Sequence, residues 1–155
     1  MQIMEQTNSD ITLELTTFQA ALINQVINAV EFAMGHLSKA RHYQPTFFEG
    51  IDYKEFHRRI RQQWLPEGEK YREEDDDQLV AIRLSIEDWA LRLFVLKEAC
   101  YGCIINELDL QMMSGYTRTE TRLILEDLHE LVFEPVYRLN AAERTRYNRE
   151  KKDRS

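Results

Sequence analysis

Ile11-Thr12-Leu13-Glu14-Leu15-Thr16 alternates apolar and polar residues, and the pattern returns 69 positions later as Val80-Ala81-Ile82-Arg83-Leu84-Ser85. A period of two is that of a half-buried strand. After each stretch the period changes. Phe18, Leu22, Val26, Ala29, Ala33, Leu37 and Ala40 recur at three and four, with Ile23, Ile27, Val30 and Met34 widening the face. That spacing predicts an amphipathic helix running to about Tyr43, with more apolar surface than one neighbour can cover. Behind the second stretch, Ala90, Leu91, Leu93, Phe94, Val95 and Leu96 enter the same register, and Gly35 and Gly102 fall late in the two long helices, where a bend or a close helix crossing is expected.

Each candidate unit then offers a second helix with its own start signal. Asp52-Tyr-Lys-Glu55 precedes a stripe of Tyr53, Phe56, Ile60 and Trp64, and Thr117-Arg-Thr-Glu120 precedes Leu123, Ile124, Leu125, Leu128 and Leu131. Both have the capping-box spacing, in which the first side chain caps the helix and the fourth reaches back. The expected fold is mainly α, a helical domain of about four helices over residues 1–139. Two readings stay open. Either two β-α-α units, 10–64 and 79–133, share a two-stranded antiparallel ribbon across a charged linker at 65–77, or both alternating stretches are first turns of helices in an all-helical bundle. Pro135 is expected to end or kink the last helix. Residues 140–155 have almost no apolar content and read as a solvated helical extension or a disordered tail.

The bulk composition agrees. Five glycines and three prolines in 155 residues are too few for a many-turned β fold. Leu, Ile, Val and Phe number 41, enough for a core in a chain of this length. No apolar run approaches a membrane span, and Met1 to Asp10 carries no Lys or Arg, so neither a membrane nor a signal peptide is expected. With only two cysteines, a reducing cytoplasmic setting is the expectation.

Several kinds of chemistry are excluded by pattern. The five glycines are too widely spaced for a phosphate loop or a dinucleotide fingerprint, and neither His-Glu-x-x-His nor Gly-x-Ser-x-Gly occurs. Cys100-Tyr-Gly-Cys103 has the spacing of a zinc or redox pair, yet it lies deep within a helix instead of opening one. Glu126-x-x-His129 supplies half of a di-iron ligand set, and the first unit has no second copy. We therefore expect no catalytic residues, no metal and no cofactor.

The net charge of −7 is segregated. Residues 1–38 hold Glu5, Asp10, Glu14 and Glu31 without one Lys or Arg, and Glu73 to Asp77 form an acidic run. Basic groups gather at Lys54, Arg58, Arg59 and Arg61, and again from Arg144 to Arg154. Such a surface repels phosphate backbones except through a local basic face. Adjacent Phe47 and Phe48, between Pro45 and Gly50, cannot easily both turn inward, and one is a candidate docking anchor beside that cluster. The leading expectation is a non-enzymatic protein-binding or assembly subunit. It would act through helix faces and through Phe47, Phe48, Lys54, Arg58, Arg59 and Arg61, on a protein partner or another copy of itself.

Gly115-Tyr-Thr-Arg-Thr-Glu120 resembles the turn that opens the second helix of ribbon-helix-helix repressors, whose β-α-α order is also similar. The resemblance implies that outward-facing strand residues, here Thr12, Glu14, Ala81 and Arg83, enter the major groove. Backbone amides opening the second helix, around Thr119 and Glu120, would hold a phosphate, with Arg118 beside them as a further DNA-binding residue. The chain departs from the family in its much longer first helix, in the carboxylate of Glu14, and in a Pro-Gly loop where the first unit should repeat the Gly-x-Thr turn. Sequence-specific DNA binding is the alternative expectation.

Overall fold

A computed structural model describes residues 1–38, 58 and 78–154. Three strands and four helices are delimited among them: β1 (Gln2–Gln6), β2 (Asp10–Thr16), α1 (Thr17–Ser38), β3 (Leu79–Ser85), α2 (Ile86–Tyr101), α3 (Glu107–Ser114) and α4 (Arg118–Arg154). The fold is mainly α. No helix among the described residues is long and apolar enough to cross a membrane.

The two alternating stretches are strands, not first helical turns, and they pair antiparallel with Leu13 opposite Ile82. Their period is the reason. Ile11, Leu13 and Leu15 lie on one face with no exposure at all, while Thr12, Glu14 and Thr16 between them stay partly open. A one-residue slip would turn that whole apolar set to solvent, so burial fixes the register.

The expected two-stranded ribbon is instead a three-stranded sheet in the order β1-β2-β3. β1 pairs antiparallel with β2 through a bulge between Ile3 and Glu5, and every residue of β1 is exposed. A strand with no buried face has no hydrophobic alternation, so Gln2–Gln6 carries no period to read. The β1–β2 turn is held by Thr7, whose Oγ1 accepts from the amide of Asp10 at 3.0 Å.

Both helices that follow the sheet are capped by the strand's last residue. Ser85 Oγ accepts from the amide of Asp88 at 3.1 Å, as its spacing predicts. Thr16 Oγ1 accepts from the amide of Gln19 at 3.1 Å, and Gln19 Oε1 accepts from the amide of Thr16 at 3.0 Å, a full capping box. The strand-to-helix junctions are tied across the sheet by two further bonds, Thr17 N–H to the Gln78 carbonyl and Ile86 N–H to the Ser9 carbonyl, each 2.9 Å.

α1 is the central helix. Ala20, Ala21, Leu22, Ile23, Val26, Ile27, Ala29, Val30 and Met34 are buried, which places apolar contacts around most of its girth. It touches β2, α2, α3 and α4, so the breadth of apolar surface legible in the sequence is matched by several neighbours. α4 packs mainly on α2 through Ile124, Leu125, Leu128, Val132 and Val136.

Two expectations are corrected here. The helix after β3 does not bend at Gly102 but ends there, with the Gly102 amide donating to the Glu98 carbonyl, and a separate helix starts with Asn106 as its cap. α3 in turn ends at Gly115, whose φ of 82° is the left-handed conformation that favours glycine. Second, Pro135 lies inside α4 and does not end it. Pro135 denies a donor to the Leu131 carbonyl without ending the helix, and Val136 one residue on is buried against the body. Of the two forms open for the tail, the described residues up to Arg154 take the helical one.

Candidate interaction surface

The outer face of the sheet brings some of the residues implied by the ribbon-helix-helix resemblance together. Thr12 is the register partner of Arg83, and Glu14 that of Ala81. Arg83 is already engaged, with Nη2 donating to Asp10 Oδ2 at 2.9 Å and Nε to the same oxygen at 3.1 Å. Gln2 Nε2 donates to Glu14 Oε1 at 2.8 Å. With Glu5 opposite Thr12, this face offers three carboxylates against one guanidinium. That balance repels a phosphate backbone.

The start of α4 lies elsewhere. Thr117 Oγ1 accepts from the amide of Glu120 at 3.1 Å, while Glu120 Oε1 accepts from the Thr117 amide at 3.0 Å, the expected capping box. The Glu120 carboxylate thus sits where an anion would bind the helix terminus. Arg118 turns inward, its Nη2 donating to the Ile105 carbonyl at 3.2 Å, and its buried Nε has no acceptor among the described residues. Thr119 is exposed. The Tyr116 ring meets Phe18 edge to face at 5.5 Å, which ties this turn to the first turn of α1.

Of the residues expected to dock a partner, Phe47, Phe48, Lys54, Arg59 and Arg61 lie outside the described residues, and Arg58 is exposed. Among the described residues no group of three His, Cys, Asp or Glu could hold a metal ion. Cys100 and Cys103 are both free, Cys100 buried and Cys103 exposed. Burial pushes the Cys100 thiol up to about 11, outweighing Arg118 and Arg122, which pull it down. A thiol held in its protonated form is a poor nucleophile and a poor ligand. Arg92, on α2 itself, is almost fully buried. Its guanidinium is lowered to about 10 by burial, against the pull of Asp88, and its Nη1 donates to the Asp88 carbonyl at 3.2 Å.

The feature that sequence reasoning passed over lies along α4. His129, Phe133 and Tyr137 follow one another at one-turn spacing, with ring centroids 4.8 Å and 5.9 Å apart. Phe133 is 49% exposed and Tyr137 62%, on the side of the helix away from Leu128, Val132 and Val136. Burial first, and then the charge of Lys97, hold the His129 imidazole below its usual value. Glu126 and Glu130 are exposed beside this row. The legible signal was the aromatic pair at i and i+4, hidden because Leu131, Val132 and Val136 around it make the segment look uniformly core-like. α3 adds Leu108 and Met112, 66% and 76% exposed, also one turn apart.

No family model matches the chain, and no match is found among curated proteins or solved structures.

Proposed function

We propose that the chain is a non-enzymatic protein-binding or assembly subunit that acts through helix faces, α4 foremost, within a larger complex or a homo-oligomer. The observation that carries this reading is the stacked pair Phe133–Tyr137, largely exposed on a helix of 37 residues. Aromatic side chains on a rigid helix bring large contact area at little entropic cost and are enriched at interface centres. Leu108 and Met112 give α3 a similar exposed apolar row. Retention of binding proteins on the immobilised full chain tests the reading. They should be held by the wild type and lost with Phe133→Gln/Tyr137→Gln, and equal retention by both would sink it.

The same proposal reads the body as two related units, and the sheet supports that. β3 starts 69 residues after β2 and α2 starts 69 after α1. The N-caps Thr16 and Ser85 share that offset, and so do the junction bonds, since Thr17 with Gln78 maps onto Ile86 with Ser9. Leu13 and Ile82, equivalent at that offset, are paired with each other, which puts a local two-fold axis between them.

A ribbon-helix-helix-like DNA-binding regulator is the second reading. One observation favours it: β2 and β3 pair antiparallel within one chain, with Thr12 opposite Arg83 on the outer face. The acidic balance of that face and the third strand beside it weigh against it, since the major groove admits a two-stranded ribbon. It expects Arg83→Ala to weaken a duplex shift that also falls steeply with salt. No shift on any duplex at low salt would remove it.

A further inference from the structure

α4 is divided by charge. Between Glu120 and Glu134 it carries Glu120, Glu126, Asp127, Glu130 and Glu134 against Arg122 alone, whereas residues 143–154 carry six Lys or Arg against Glu143, Glu150 and Asp153. At 1.5 Å per residue its 37 residues span about 55 Å. The first half is seated on α2, with Leu125, Leu128 and Val132 inward and Glu126, Asp127, Glu130, Phe133 and Tyr137 exposed. From Ala141 onward every residue whose side chain is described, such as Thr145, Arg146, Asn148, Arg149 and Lys151, is exposed.

The midpoint of Arg118–Arg154 is residue 136, and Phe133 and Tyr137 flank it. Turning a second copy of α4 end for end about that midpoint therefore has two consequences at once. The four exposed rings of the two copies meet at the centre, and each basic second half lies along the exposed acidic first half of the other copy. A parallel arrangement would set acid against acid and base against base. A two-fold interface is self-complementary in this way, the same patch serving on both sides. The acidic and basic halves of one helix, divided at an exposed aromatic pair, thus describe their own partner.

We propose that the occupant of the α4 face is a second copy of this chain, bound antiparallel α4 on α4 about Phe133 and Tyr137, with the two charge halves setting the orientation. This rests on the reading of α4 as the binding face and names the partner it takes.

The test uses the full chain in light scattering at low ionic strength. The wild type is expected at the mass of two 18.5 kDa chains and Phe133→Gln/Tyr137→Gln at one, with helicity unchanged because both side chains are exposed on the single chain. Two charge reversals carry the orientation: Glu126→Lys/Asp127→Lys/Glu130→Lys in the first half, and Arg149→Glu/Lys151→Glu/Lys152→Glu in the second. Each alone makes both halves alike in sign and is expected as a monomer, while a one-to-one mixture recovers the dimer. A dimer indifferent to Phe133 and Tyr137 overturns this face, and a mixture that stays monomeric overturns the orientation. A wild-type monomer that still retains some other protein through Phe133 and Tyr137 overturns only the second copy. A monomer retaining nothing overturns the binding-face reading as well.

Discussion

Trp89 Nε1 donates to the main-chain carbonyl of Ile11 at 2.8 Å, a bond between side chain and backbone that joins the first turn of α2 to the start of β2 across 78 residues of sequence. Neither residue has any exposure to solvent. The bond therefore fixes where the second helix sits on the sheet, and no water can replace it. Trp89→Phe keeps most of the apolar volume and removes the donor. We expect a loss of about 1–3 kcal/mol of unfolding free energy in urea, since a buried acceptor loses its partner. An unchanged urea midpoint would show that the bond contributes nothing.

Gly102 and Gly115 both cap helices, and adding a methyl group to each should fail for different reasons. A Cβ on Gly102 would lie 2.2 Å from Glu98 Oε1 and 2.7 Å from the Glu98 carbonyl oxygen. The side chain can swing away, but the carbonyl is held by the Gly102 amide itself. At Gly115 nothing lies within 4 Å, and the penalty is only the φ of 82°. Gly115→Ala is expected to cost about 1–2 kcal/mol, the price of a left-handed L-residue. Gly102→Ala is expected to cost about 1–3 kcal/mol as overpacking. Glu98→Ala in the same chain should relieve only part of the Gly102 cost, because the carbonyl stays in place, and none of the Gly115 cost, where no neighbour obstructs.

Alkylation should separate the two thiols. Burial raises Cys100 to about 11, so below pH 9 it reacts only when the end of α2 opens, whereas Cys103 is exposed. Mass spectrometry of the native protein with iodoacetamide at pH 8 should find Cys103 modified first and Cys100 protected. The linkage has a definite sign. The folded value lies above the ordinary value of 9.0, so the unfolded chain loses this proton first. The contribution to stability is whole below pH 9 and declines as pH rises toward 11. Rapid modification of Cys100 at pH 8 would contradict its burial.

Ser85→Ala tests the junction of β3 and α2. The hydroxyl accepts from the Asp88 amide at 3.1 Å, and the loss of an N-cap costs about 1 kcal/mol. Arg83→Ala, two residues earlier, removes an ion pair whose arginine side chain is 61% exposed. Its effect on stability should be below 1 kcal/mol, in keeping with solvent-exposed pairs. Thermal unfolding of the two variants side by side gives the ranking, and a larger effect from Arg83 would reverse it.

Local signals in the chain alone set much of this architecture. The alternation of Ile11, Leu13 and Leu15 with polar neighbours, and its return at Val80, Ile82 and Leu84, mark strands because a half-buried strand needs that period. Ser85 with Asp88 and Thr117 with Glu120 mark helix starts because capping is a contact over three residues. What tertiary structure decided lies beyond such reach. β1 has no buried face and so no pattern, and it exists because β2 offers it an edge. The helix after β3 stops at Gly102 and restarts behind Asn106, where α3 comes to lie on α1. Pro135 stays helical because Val136 is packed. Phe133 and Val132 are adjacent and equally apolar, yet one faces solvent and the other the core. Composition cannot rank two such neighbours. The face that α2 covers is set by where the sheet and α1 place that helix, a contact made across the whole chain.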